Sequence, residues 1–250
     1  MKTYLLLICF LFVIGANAQQ PDADSISTND GTLKIQPVTH ASLILTLNDK
    51  TIFIDPTGGA ESYKRARPDI IIITDIHGDH MDANTINAIK SPNIKIIAPR
   101  AVADSLKRKN IINVTDINNG ESKPVDGITI SAIPMYNLPE KPDSRHPKGR
   151  GNGYILEIGG KRIYISGDTE DISEMRELKN IDAAFVCMNL PYTMDIYQAV
   201  SAVLEFQPKI VYPYHYRGQN GLSDIETFKT LVNKENPAID VRLLNWYPAK

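Results

Sequence analysis

Cysteine and histidine are both scarce in this chain of 250 residues. One of its two cysteines, Cys9, lies in an apolar stretch at the start, and the other, Cys187, lies in the apolar run Ala183–Cys187. Outside the first stretch Cys187 has no partner, so a disulfide framework is excluded and stability must come from burial or metal. Cys187 is interpreted as a small buried hydrophobe.

An excess of charge of either sign is also absent, because 27 basic and 29 acidic residues give a net charge of −2. Without a basic field, a nucleic-acid partner is not expected. The apolar content of 42% is that of an ordinary globular domain, and the length allows a large core. Charge alone therefore implies no polyanionic partner, and the sequence does not define an oligomeric state.

The N-terminus predicts a signal peptide at residues 1–18. A basic start, Met1–Thr3, precedes the apolar run Tyr4–Ile14, and Ala16–Ala18 fits a small-x-small cleavage site. The run is short for a bilayer span, which disfavours the alternative of an uncleaved anchor and stable membrane insertion. We expect an exported protein, periplasmic or secreted, with a flexible leader at 19–31 and one domain at 32–250.

Two similar halves of alternating strands and helices predict two sheets packed face to face with helices outside. Continuous β-branched runs such as Asp69–Thr74 are typical of strands buried on both faces. Further strands are predicted at 33–38, 42–47, 51–54, 94–98, 128–133, 154–158, 161–165, 182–187, 209–212 and 240–244. Helices are predicted at 82–90, 100–109, 171–178, 196–206 and 224–233.

The segment Thr74–His80 (Thr-Asp-Ile-His-Gly-Asp-His) is the strongest functional signal. It follows a buried strand and carries four potential metal ligands, which are Asp75, His77, Asp79 and His80. Residues two apart in an extended segment point the same way, whereas Asp79 and His80 must diverge after the turn at Gly78. This short loop is therefore suited to supply ligands to two ions about 3.5–4 Å apart.

Three further residues offer ligands to the same centre. Asp168 follows the strand 161–165 and is placed to bridge two ions, although an N-cap role is an alternative. His215 also follows a strand, and its alternative is a hydrogen-bonded core histidine. His146 lies in the long loop 137–152, where it either completes the Asp75/His77 site or is solvated.

That loop also carries Lys141, Lys148 and Arg150. These cations are interpreted as a solvated rim, with contact to an anionic substrate as the alternative.

The heptad resembles the His-x-His-x-Asp-His signature of the metallo-β-lactamase superfamily. Gly167-Asp168-Thr169 and His215 resemble the bridging aspartate and final histidine of that superfamily. Segments 39–42, 54–56 and 191–194 look like the branch that contains ascorbate-6-phosphate lactonase. The resemblance implies an α/β fold, a four-layer αββα sandwich, with zinc as one or two ions and a second ion held by Asp79, His80, Asp168 and His215.

The chain departs from this pattern at two positions. Asp75 replaces the first histidine of the signature, which favours a harder ion such as Mn²⁺ or Fe²⁺ at the Asp75/His77 site. Asn137 stands where the third histidine usually lies, so either His146 or Asn137 is the third ligand of the first ion.

The leading hypothesis is an exported metal-dependent hydrolase in which metal-activated water attacks a small lactone- or ester-like substrate, or a phosphodiester. Asp79 is predicted to be catalytic, orienting the water and taking its proton. His40, Asn137 and Tyr192 are candidates for substrate binding and oxyanion stabilisation. The alternative is a non-catalytic exported metal-binding or scaffold protein with the same fold.

Overall fold

The computed structural model describes residues 22–248. Sixteen strands are present in this part of the chain: β1 Asp24–Thr28, β2 Gly31–Thr39, β3 Ser42–Leu47, β4 Lys50–Ile54, β5 Ile70–Ile72, β6 Lys95–Ala98, β7 Val114–Asp116, β8 Ser122–Val125, β9 Ile128–Met135, β10 Gly151–Ile158, β11 Lys161–Ile165, β12 Ala183–Cys187, β13 Ile210–Tyr214, β14 Arg217–Gly218, β15 Gly221–Leu222 and β16 Asp240–Val241. The α-helices are α1 Ala83–Ile89, α2 Arg100–Arg108, α3 Ser173–Arg176, α4 Ile196–Phe206 and α5 Ile225–Glu235, and Ala60–Tyr63 forms a 3₁₀ turn.

The strands form two seven-stranded sheets and one small hairpin. The first sheet runs in chain order from β1 to β7, antiparallel as far as β4 and parallel from β4 to β7. The second sheet has the order β16-β13-β12-β11-β10-β9-β8, with a parallel half from β11 to β16. Strands β14 and β15 pair only with each other.

Strand β5 and the residue after it show how the layers are held together. Ile70 and Ile72 belong to the large core between the sheets, whereas Ile71 and Ile73 belong to a second core beneath α1 and α2. Successive side chains of a strand point to opposite faces, so both faces of β5 are buried. Helices α3, α4 and α5 add Met175, Val203 and Phe228 to the large core. The expected four-layer αββα sandwich is confirmed.

Most predicted elements form close to the expected bounds, and α4 has the predicted bounds Ile196–Phe206. The flexible leader is wrong for residues 24–28, which form β1 along the edge of β2 and bury Ile26. The segment Asp24–Thr28 has a single isoleucine among polar residues. This pattern is too short to predict a strand. The helix expected at 171–178 is a single turn, α3, and the strand expected at 240–244 is only two residues long.

The predicted signal peptide, residues 1–18, lies outside the described residues. Within residues 22–248, no helix combines the length and apolar content that a bilayer crossing needs.

Candidate metal centre

The metal-ligand candidates meet at one edge of the two sheets. Asp75–His80 follow β5, Asp168 follows β11 and His215 follows β13, and these strands lie in the parallel parts of their sheets. Parallel strands present the loops at their carboxyl ends on one side, which is where α/β folds place ligands. The two sheets are also joined there, because Asn152 N–H donates to the Thr74 carbonyl over 3.0 Å.

The first cluster consists of Asp75, His77 and His146, whose ligand atoms all lie within 4.8 Å of one another. Asp75 and His146 are fully buried, and the His77 side chain is 26% exposed. Asp75 Oδ2 lies 2.5 Å from His77 Nδ1, and the rings of His77 and His146 are 5.1 Å apart. The structure thus brings together the three residues predicted for the first ion.

The second cluster consists of His80, Asp168 and His215, all buried. Asp168 Oδ2 lies 3.3 Å from His80 Nε2 and 3.2 Å from His146 Nε2, while its Oδ1 lies 3.3 Å from His215 Nε2. The Asp168 carboxylate therefore stands between the two clusters, as the predicted bridging role requires. It does not cap a helix, because the N-cap of α3 is Ile172.

The buried polar atoms of these clusters fit a metal. His80 Nε2, His146 Nε2 and Asp168 Oδ1 are buried and make no hydrogen bond among the described residues. The two nitrogens lie 3.3 Å and 3.2 Å, respectively, from the other carboxylate oxygen, Asp168 Oδ2. A buried polar atom without a partner is costly. Imidazole nitrogens and a carboxylate oxygen are the ligands of zinc and related divalent ions, so ions at the two clusters would satisfy these atoms.

Asp79 and His40 lie beside the second cluster on its open side. Asp79 Oδ2 is 3.4 Å from His215 Nε2, and its side chain is 39% exposed. His40 forms a third group with Asp79 and His215, and its Nδ1 lies 3.1 Å from the hydroxyl of Tyr247. Asp79 is thus the ligand candidate of the heptad that is most open to solvent.

Asp55 supports His80 and was not predicted as a site residue. Its buried carboxylate accepts hydrogen bonds from Thr74 N–H at 2.7 Å, Thr74 Oγ1–H at 2.6 Å and His80 Nδ1–H at 2.9 Å. Such a carboxylate fixes the tautomer of a ligating histidine and raises its basicity. The signal in the sequence is a carboxylate directly after the buried strand β4, and Asp75 likewise lies in the segment that follows β5.

Asn137 supports His146 instead of facing the cluster. Its Oδ1 accepts from His146 N–H at 2.8 Å and lies 3.1 Å from His146 Nδ1, while its Nδ2 donates to Glu170 and to the Tyr192 carbonyl. Both polar atoms of the amide therefore contact protein groups, which differs from the predicted role in substrate binding. Of the two alternatives for a third ligand, the structure places His146 in the cluster.

Gly167 allows Asp168 to reach this position. Its φ is +61°, and a Cβ there would lie 2.6 Å from Met135 Sδ and 3.0 Å from the Asn152 carbonyl oxygen. A side chain at this position would strain the backbone and displace its neighbours.

The three cations of the long loop have different surroundings. Lys141 is exposed, and Lys148 pairs with Glu174 at 2.8 Å. Arg150 points inward, with Nη2 3.5 Å from both Asp75 Oδ1 and His77 Nε2. Arg150 is therefore not a rim residue, and its charge offsets part of the charge that Asp75 brings to the first cluster.

His80 and Asp168 shift each other's pKa in opposite directions. Burial by itself would lower the pKa of His80, but Asp168 and Asp55 outweigh it and raise that pKa well above its usual value. Burial acts to raise the pKa of Asp168, but His80 and His215 hold it well below its usual value. A divalent cation at the second cluster would therefore replace a proton on His80.

A cleft of about 280 Å³ opens directly onto the clusters. Its lining includes Asp79, Asp168, His40 and Tyr192, so two of the three predicted substrate-binding residues face it. A larger cavity, of about 630 Å³, lies around the β3–β4 turn at the opposite end of the strands and is lined by no histidine. Of these two cavities, the smaller cleft is the candidate for chemistry because ligand candidates line it.

An αββα sandwich with this His/Asp set at the edge of its sheets defines a metallo-β-lactamase-type fold with a metal centre. The sequence model of the beta-lactamase superfamily domain matches residues 34–215. The chain therefore belongs to the beta-lactamase superfamily, and the expected family is confirmed.

Relatives agree with this assignment over most of their length. The chain is 31% identical to a metal-dependent hydrolase of Thermococcus onnurineus over 218 residues, which are 83% of this chain and 95% of that protein. It is 32% identical to a metal-dependent hydrolase of Pyrococcus abyssi, over 80% of this chain and 92% of that protein. The chain is accordingly a metal-dependent hydrolase.

Solved structures give the same result. A candidate metal-dependent hydrolase of Parabacteroides distasonis superposes with a TM-score of 0.79 at 38% identity, covering 89% of this chain and 98% of that chain. Igni18, a metallo hydrolase of Ignicoccus hospitalis, superposes with a TM-score of 0.71 at 24% identity, covering 87% of this chain and 99% of that chain. The second likeness supports the fold alone.

Proposed function

We propose that this hydrolase cleaves a small lactone- or ester-like substrate, with a phosphodiester as the second candidate, using zinc at a one- or two-ion site. Mn²⁺ or Fe²⁺ is the alternative at the Asp75/His77 cluster, whose carboxylate suits a harder ion. The proposal is carried by one observation: unpaired buried ligand atoms from both clusters converge on Asp168.

Seven residues would hold the ions. Asp75, His77 and His146 face one position, His80 and His215 face the other with Asp79 beside them, and Asp168 lies between the two. A divalent ion bound there would supply Lewis-acid activation of water and would polarise the carbonyl or phosphoryl oxygen of the substrate.

Asp79 is the residue that we propose to orient the attacking water and accept its proton. Burial acts to raise the pKa of Asp79, but the contact with His215 and the charge of His80 hold it well below its usual value. The carboxylate is therefore ionised at neutral pH, and its exposed side faces the cleft. Such a weak base orients water and passes the proton on to solvent.

His40 and Tyr192 line the same cleft as this carboxylate. The hydroxyl of Tyr247, next to His40 Nδ1, orients the His40 imidazole. We propose that His40 and Tyr192 donate hydrogen bonds to the oxyanion that forms on the substrate. The small cleft and the sequence resemblance to the ascorbate-6-phosphate lactonase branch support a lactone or ester.

The test compares Asp168→Asn and His80→Ala with the wild-type protein on lactone, ester and phosphodiester substrates, after loading with Zn²⁺ or Mn²⁺. Asp69→Asn is the matched control, because Asp69 lies at the other end of β5 and accepts a backbone hydrogen bond from Thr51. We expect turnover to vanish with metal content in the two site variants only. Full turnover in Asp168→Asn would refute the proposal, and wild-type protein that binds metal without turnover would favour the scaffold alternative.

We also propose that the protein is exported by cleavage after Ala18, with the mature chain beginning near Gln19. The support is the basic start, the apolar run Tyr4–Ile14 and the small residues before the cleavage point. Intact-mass measurement of the protein recovered from a Gram-negative host, with cell fractionation, tests this. Unprocessed chain in the cytoplasm would contradict it.

A further inference from the structure

Two arginines that the sequence did not single out line the cleft above the metal centre. Arg145 belongs to the long loop before β10, and Arg217 begins the β14–β15 hairpin. Both are exposed, and both line the space that is also lined by the ligand candidates Asp79 and Asp168. The cleft therefore has positive groups at its mouth and the metal centre at its floor.

Each guanidinium rests on an aromatic ring. Arg145 Cζ lies 4.3 Å from the centre of the Tyr192 ring, and Arg217 Cζ lies 4.5 Å from the centre of the Tyr247 ring. Stacking on a tyrosine face limits the positions of a long side chain while leaving the N–H groups of the guanidinium edge available. Both arginines are thus held in place for a ligand.

Among residues 22–248, neither guanidinium has a carboxylate partner. No carboxylate oxygen of these residues lies within 4.0 Å of a side-chain nitrogen of Arg145 or Arg217. The nearby carboxylates Asp79 and Asp168 contact histidines instead. Arg150 and Lys148 of the same loop differ, because both have acidic partners.

The backbones that carry the two arginines are anchored at the site. Arg150 donates to the Arg145 carbonyl, which ties the loop to the first cluster. Arg217 N–H donates to the Tyr247 hydroxyl at 3.2 Å. Gln219 N–H donates to the Leu190 carbonyl at 2.9 Å, which holds the hairpin against the segment that leads to Tyr192.

We propose that Arg145 and Arg217 bind a carboxylate or phosphate group of the substrate, separate from the bond that is cut. This inference rests on the proposed function and narrows its substrate to small anionic lactones, esters or phosphodiesters. Guanidinium groups match the two oxygens of such anions, and these charge-assisted hydrogen bonds are strong. The volume of the cleft, below the range of about 300–1,000 Å³ typical of drug-sized ligands, suits a small metabolite.

The kinetic test uses the metal-loaded full chain and γ-butyrolactone, with or without a carboxylate or phosphate substituent. The double variant R145Q/R217Q is compared with wild type, and R108Q is the matched control because Arg108 is an exposed arginine near the end of α2. We expect the double variant to raise KM for the charged lactones about tenfold or more, with little change in kcat. For the neutral lactone, we expect both KM and kcat to stay close to the wild-type values. The substituent, carboxylate or phosphate, whose lactone shows the larger rise in KM is the better match to the natural substrate.

A binding test stands apart from turnover. Inorganic phosphate is titrated calorimetrically into metal-free and metal-loaded wild type, R145Q/R217Q and R108Q. Binding that is weakened about tenfold in the double variant, in both metal states, supports the proposal. The opposite result would be phosphate binding to metal-loaded protein only, with the same affinity in wild type and in the double variant. Phosphate would then bind the ion and not the arginines, which overturns the proposal.

The two proposals fail in distinguishable ways. If charged and neutral lactones are hydrolysed alike and the double variant behaves as wild type, the arginine site is wrong while the hydrolase assignment stands. If no lactone is hydrolysed but phosphate affinity falls in the double variant, the anion site stands and the lactone assignment is wrong. R145K/R217K adds a check, since lysine keeps the charge but loses the planar fork and should restore phosphate affinity only in part.

Discussion

His80 Nδ1 lies 2.9 Å from Asp55 Oδ2, and its Nε2 faces Asp168 on the other side of the ring. Asp55 lies at the end of β4 and His80 in the loop after β5, so the parallel pairing of these strands fixes the distance between them. The arrangement leaves Nε2 of His80 as the free ligand atom and orients it toward the centre.

Asp55→Asn should weaken metal binding without removing a ligand. An amide cannot accept the His80 proton and both Thr74 hydrogen bonds as the carboxylate does. We expect metal affinity to fall about 10–100-fold, measured by competition with a chromophoric chelator. Asp69→Asn, at the other end of β5, should keep wild-type affinity, and equal losses in the two variants would contradict the assigned role.

Asn137→Ala should weaken metal binding at the first cluster (Asp75, His77 and His146) selectively. The variant removes the acceptor of His146 N–H and the contact with its Nδ1, so His146 loses its orientation. We expect about 10–100-fold weaker binding of one ion, with the second retained, in metal stoichiometry by elemental mass spectrometry. Asn113→Ala is the control, since the Asn113 amide makes only a 3.4 Å contact with the Pro92 carbonyl. Loss of both ions in Asn137→Ala would contradict the assignment of Asn137 and His146 to the first ion.

Asp75→His should shift metal preference at the first cluster toward zinc. An imidazole replaces a hard anionic oxygen, and the contact with Arg150 Nη2 is lost. Occupancy after equilibration with equal Zn²⁺ and Mn²⁺ is the measurement. Asp75→Glu keeps the carboxylate and should keep the wild-type preference. An unchanged Zn²⁺/Mn²⁺ ratio in Asp75→His would show that Asp75 does not contact the ion.

Metal binding near pH 7 should release a proton from His80. In the ion-free protein Asp168 and Asp55 raise the pKa of His80 against the effect of burial, so the ring is protonated at pH values where a free histidine is largely neutral. The ion requires the neutral ring, so affinity should rise as pH increases toward the raised pKa. Calorimetry in two buffers with different ionisation enthalpies measures about one proton released, and no release would contradict the raised pKa.

Local patterns in the chain predict the layers of the fold and most of the candidate ligands. Hydrophobic periodicity is local, so runs such as Ile70–Ile73 and the helix Ile196–Phe206 are predictable from the chain. The ligand types of the heptad are equally local, because a metal needs imidazole and carboxylate groups in a loop after a strand. Export remains a prediction from the first 18 residues.

Which groups support the ligand candidates and which face the cleft depends on how distant segments of the chain fold together. Asp55 lies 25 positions before His80, and Asn137 lies nine before His146. Whether such polar side chains meet depends on strand pairing and loop packing, which no local pattern records. Arg145 and Arg217 are far apart along the chain, and they share one cleft only because the hairpin and the loop fold over the same sheet edge.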